Sequence, residues 1–138
     1  MTITAAFPNQ LKADALAAAC PPADVYKMAL YTSTATLDKS TTAYSTTNEV
    51  VGTGYTAGGV TLSGYTPGAA SDTAWIDFAD PSWANANITA RGALIYNSSK
   101  SNKAVAVLDF GSDVTSTAST FTVQLPAPAA ATAVVRLG

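Results

Sequence analysis

Between residues 73 and 137 the chain is cut into short apolar or alternating runs by residues that turn the backbone. That rhythm restricts the fold to one built mainly from β-strands. Residues 73–78, 88–97, 104–110, 119–125 and 131–137 all have strand character. Between them lie Asp80-Pro81, the polar run Asn97-Ser98-Ser99-Lys100-Ser101-Asn102, Gly111-Ser112-Asp113 and Pro126-Ala127-Pro128. Alternation of side-chain type is clear in Ala104-Val105-Ala106-Val107-Leu108-Asp109-Phe110 and in Phe121-Thr122-Val123-Gln124-Leu125, as expected where one face of a sheet is buried. Upstream, residues 25–32 read as another strand, and residues 60–62 begin one more. The Thr/Ser/Gly-rich stretch between them and on to Pro67 includes Gly52-Thr53-Gly54-Tyr55-Thr56-Ala57-Gly58-Gly59, where glycines permit positive φ and tight turns.

The N-terminal segment has a different texture. Pro8 suits the start of a helix, the Ala- and Leu-rich residues that follow favour one, and Pro21-Pro22 stops it. Leu11, Ala15, Ala18 and Ala19 share a face at helical spacing, with Phe7 close by. A helix of three turns is marginal in water alone, so it must pack on its own sheet or on a neighbour. The reading is a mainly β, single-domain antiparallel β-sandwich, jelly-roll-like, with a short N-terminal helix. Residues 1–22 form an arm and helix, and residues 23–138 form the sandwich. At 138 residues the chain can bury a core without disulfides or a metal.

Charge narrows the function. Seven basic and nine acidic residues give a net charge of -2, and charged residues make up 12% of the chain, about half the usual share. Lys100 and Lys103 are the only local basic cluster, too thin to neutralise a nucleic-acid backbone, so no nucleic-acid partner is expected. No segment approaches the ~18 apolar residues that span a bilayer, and Leu16-Ala17-Ala18-Ala19-Cys20 fails as a lipidation box because Leu16 is one residue too far from the cysteine. A surface of Thr, Ser, Ala, Asn and Gly costs little to desolvate and is suited to being covered by other copies or a partner protein.

Catalytic chemistry has little to work with. The chain has no histidine, which removes Ser-His-Asp and Cys-His catalysis and the commonest zinc ligand. Cys20 is its only cysteine. The glycines of residues 52–59 lack the Gly-Lys-Ser/Thr of a phosphate loop. Asp77 with Asp80, and Asp109 with Asp113, are close enough in sequence to suggest paired carboxylates, but Asp80 precedes a proline and Asp113 lies in a turn, so loop roles explain them. The reading is therefore no catalytic residue, no cofactor and no metal. Among the aromatics, Trp75 and Tyr96 are expected in the core. Trp83, following Pro81 in a loop, is expected at a contact or in a sugar-stacking platform with Tyr55. Phe7, Leu11, Leu16, Tyr55 and Trp83 are the candidate interface residues.

Several stretches together resemble the capsid decoration, or cement, proteins of tailed bacteriophages. They are Tyr26-Lys27-Met28-Ala29-Leu30-Tyr31, Asn48-Glu49-Val50-Val51-Gly52-Thr53-Gly54-Tyr55-Thr56-Ala57-Gly58-Gly59 and Ala90-Arg91-Gly92-Ala93-Leu94-Ile95-Tyr96-Asn97. Leu108-Asp109-Phe110-Gly111 followed by Phe121-Thr122-Val123-Gln124-Leu125 adds to the resemblance, which spans most of the chain after residue 25 and leaves out the N-terminal helix. It implies a β-sandwich on the outside of a virion, in many copies, bridging subunits of the major coat protein and contacting copies of itself as a homo-oligomer. A tail, collar or fibre component and a carbohydrate-binding or adhesin module are the alternatives.

Overall fold

The computed structural model describes all 138 residues and has the order α1 (Asn9–Ala19), β1 (Tyr26–Tyr31), β2 (Val60–Thr61), β3 (Thr66–Ala70), β4 (Thr73–Asp77), β5 (Ser82–Asn97), a 3-10 turn at Ser98–Lys100, β6 (Lys103–Thr122) and β7 (Val135–Leu137). Two antiparallel sheets result. One has the strand order β2-β1-β5-β6 and the other β3-β4-β7. The chain passes between them three times, after β2, β4 and β6, which gives a sandwich-like architecture with an N-terminal helix.

Strand register explains how one strand serves two layers. Met28 sits opposite Ile95 and Ala29 opposite Leu94 in the β1–β5 pair. Successive side chains point to opposite faces, so Met28 and Ile95 enter the main core between the sheets while Ala29, Tyr31, Leu94 and Tyr96 form a second small cluster on the outer face. Ala35, Leu37 and Tyr44, from the long segment between β1 and β2, cover that outer cluster. The Tyr44 ring stacks on Tyr96 with centroids 4.7 Å apart.

Four elements differ from the sequence reading. β5 begins at Ser82, six residues early, and β6 runs through the expected turn at Gly111-Ser112-Asp113 to Thr122. The reason is a set of bulges in the β5–β6 ribbon. Ala90 pairs with Val114 but Gly92 with Asp109, so residues 110–113 loop out within the strand, with Gly111 at φ +80°. β3 lies at the end of the Thr/Ser/Gly-rich stretch, where no strand was expected, and its Pro67 is tolerated because β3 is an edge strand. The expected strand at 131–137 is reduced to Val135–Leu137.

The helix forms where expected, and the face it turns to its own sheet is not the Leu11 face. Leu11, Ala15, Ala18 and Ala19 are exposed, whereas Ala13, Leu16 and Ala17 line the groove against β3 and β4, and Leu16 packs against the main core. Lys12 donates to the Asp72 carbonyl and Asn9 to the Asp72 carboxylate, which ties the start of the helix to the β3–β4 turn.

Candidate interaction surfaces

Tyr55 is held by a buried polar cluster. Glu49 is nearly inaccessible, and its carboxylate accepts from Tyr44 Oη (2.6 Å), Tyr55 Oη (2.6 Å) and the Gly58 amide (2.8 Å). The Tyr55 hydroxyl also accepts from the Leu30 amide, and Tyr96 donates to the Gly58 carbonyl. Burial first, then the hydrogen bond to Glu49, pushes the Tyr44 and Tyr55 phenols above their usual range and keeps them protonated as donors. Burial likewise raises Tyr31, to about 12. The cluster pins the glycine-rich loop to the sheet. A Cβ on Gly59 would fall 1.7 Å from the Met28 carbonyl oxygen, so only glycine allows this approach, and its φ is +77°.

Trp83 is not in a loop. It lies in β5, is 3% exposed, and packs with Phe121 at 6.0 Å and Tyr55 at 6.1 Å between ring centroids. The expectation of an exposed contact residue is corrected: Pro81 precedes a strand whose alternation is masked by a bulge between Trp83 and Ala86. Tyr55 is half-buried beside it, so the two rings are packing partners and offer no sugar platform. Tyr96 is buried as expected. Trp75 is only half-buried, its ring lying over the open backbone of Gly68.

The carboxylate pairs act locally. Asp77 is buried and accepts from the Phe78 amide through Oδ1, while Oδ2 has no partner. Burial raises its pKa above 3.8 against the pull of the Phe78 amide, with a smaller push from Asp80 and a smaller pull from the Val134 amide. Asp80 accepts from the Leu125 amide. Arg91 lies 3.7 Å from Asp109 and 3.8 Å from Asp113, across the bulge. No three acidic or cysteine side chains come together in a metal-binding group.

Two surfaces stand out by exposure. The first is the arm: residues 1–8 have no regular secondary structure and are all exposed, with Ile3 at 87% and Phe7 at 75%. Leu11, at 52%, extends this apolar surface onto the helix. The second is the far half of the β5–β6 ribbon, which presents Asn85, Asn87, Thr89, Thr115, Thr117 and Thr122 to solvent. Residues 81–90 and 114–135 contain no charged side chain. This second surface was not singled out from the sequence, although the gap in charge was there to be read.

A search of protein-family models, of curated proteins and of solved structures finds no match to this chain.

Proposed function

We propose that this chain is a non-enzymatic virion structural protein that decorates and stabilises a phage capsid through repeated contacts with the major coat protein. The observation that carries the reading is the pairing of an apolar arm standing off the body with a broad ribbon face free of charge. A surface of threonine and asparagine can be covered without stranding ions, and the arm supplies apolar area at about 25 cal/mol per Å² before association costs. Each contact is modest, and repetition over a shell makes the sum large. The resemblance of residues 26–125 to decoration proteins supports the same reading. Burial of Trp83 removes the ring on which a sugar-binding reading depended.

The test is the copy number of this chain relative to the major coat protein in purified particles, by quantitative mass spectrometry. A ratio within a few-fold of one is expected. A handful of copies per particle would move the chain to a tail, collar or fibre, and absence from particles would overturn the assembly reading.

A further inference from the structure

We infer that the N-terminal arm of one copy adds as an extra strand to the open edge of β6 in a second copy. The inference deepens the assembly reading above, and rests on it only in taking the chain to work as several copies.

β6 is the outer strand of its sheet. Its start is covered by Tyr44 and Thr42, which bond to Asn102 and Ala104. Beyond Ala104 no strand other than β5 pairs with it. An edge of this length is normally blunted by lysines, prolines, bulges or a covering loop, and β6 carries bulges at residues 110–113 and at Ala118. From Val114 to Thr122 this one carries no charge and no proline. Within it the Ala118 amide donates to Asn87 Oδ1, the Ser119 carbonyl accepts from Ser116 Oγ and Ala118 is bulged at φ +46°, so the stretches on either side of this bulge are the ones that offer amides and carbonyls to an incoming strand.

Alongside that edge runs a groove of about 480 Å³ between β6 and the segment leading to β7. Phe110, Val114, Phe121, Val123 and Val134 line it, with Asp109 and Arg136 also on its walls. A strand that extended the sheet past β6 would turn alternate side chains into this groove.

The arm has the matching pattern. Ile3, Ala5 and Phe7 occupy every second position, with Thr2, Thr4 and Ala6 between them. In an extended strand the first set faces one side and the second set the other. Residues 1–7 make no hydrogen bond to the rest of the chain, so nothing must be broken to move them. Residues 2–11 carry no charged side chain, so docking buries no unpaired ion from the arm. Seven residues reach about 23 Å, enough to run along most of the ~30 Å spanned by residues 114–122. Exchanged reciprocally, two arms would bury on the order of 1,500 Å², the size of a standard stable interface.

The experiment compares the full chain with an Ile3→Asp/Phe7→Asp variant by sedimentation velocity over a range of concentrations. Amide hydrogen exchange of residues 114–122 is followed in parallel. The wild type is expected to associate, with 114–122 protected as association proceeds. The variant is expected to be monomeric, with association weakened more than about tenfold, an unchanged far-UV spectrum and lost protection at 114–122. A wild type that stays monomeric at all concentrations overturns the inference, as does a variant that still associates. Loss of association without change at 114–122 would show that the arm uses another surface, and also overturns it. Protection at 114–122 in a monomer would mean the arm folds back on its own chain, again against the proposal. A protein that exchanges arms but is absent from particles would sink the decoration reading alone; one that decorates particles as a monomer would sink this inference alone.

Discussion

Glu49 is a buried carboxylate without an ion pair, satisfied by two phenols and one amide. Such a group is inexpensive only while all its donors remain. Glu49→Ala leaves two hydroxyls and an amide facing a void, and is expected to cost about 3 kcal/mol in urea unfolding. Tyr44→Phe, which removes one donor, is expected to cost about 1–2 kcal/mol. Asp77 is the opposite case, a buried carboxyl with an oxygen unpaired. Because its folded pKa is raised above 3.8, it contributes stability that is present below that value and is lost as pH rises through the folded pKa. Asp77→Asn should therefore gain stability relative to the wild type at pH 7 compared with pH 4. Equal differences at the two pH values would show that the charge on Asp77 carries no cost. Neither role could be read from the sequence. Glu49 is one acid in a polar loop, and its partners Tyr44 and Tyr55 reach it only because the loop folds back over the sheet.

Among the elements, α1 is held on one side only. Leu16→Ala should destabilise the protein by about 1–2 kcal/mol, less than a fully buried leucine would cost, because Leu16 is half-buried. Leu11→Ala should change thermal stability by no more than about 0.5 kcal/mol, since Leu11 is exposed. The helix was legible in Pro8, the alanines and Pro21-Pro22; its docking face was not, because alanines surround the helix and leave no single apolar stripe. Strands β1 and β4 were legible from their residues, as was the end of β5. The unbroken run Ala93-Leu94-Ile95-Tyr96 also held the sign of a strand covered on both faces. β5 and β6 were cut short in the reading because bulges interrupt period two at Ala84-Asn85 and at residues 110–113. A bulge glycine and a turn glycine are the same residue in sequence; only the partner strand tells them apart.

At the scale of the whole molecule, the distribution of charge matters more than its total. The sixteen charged residues are spread over the helix, the loops and the Arg91 and Lys100 regions of the ribbon, but none falls within residues 81–90 or 114–135. If the chain decorates particles as proposed, attachment through the charge-free ribbon face should be nearly indifferent to salt. The dissociation constant is expected to shift less than about tenfold between ~50 mM and ~1 M sodium chloride, measured by co-sedimentation with stripped particles. A steep loss with salt would mean that the lysines and aspartates carry the attachment.

The pairing pattern also orders events in time. β5 and β6 meet across a short turn, whereas β1 meets β5, and β4 meets β7, across roughly sixty residues of chain. The ribbon is thus the cheapest part to form and the sandwich the slowest to close. Until it closes, Ile88, Trp83 and Phe121 lie on an uncovered face. The chain passes its most adhesive moments in that half-closed state, so the rate of closure, as much as final stability, sets how much of it escapes aggregation.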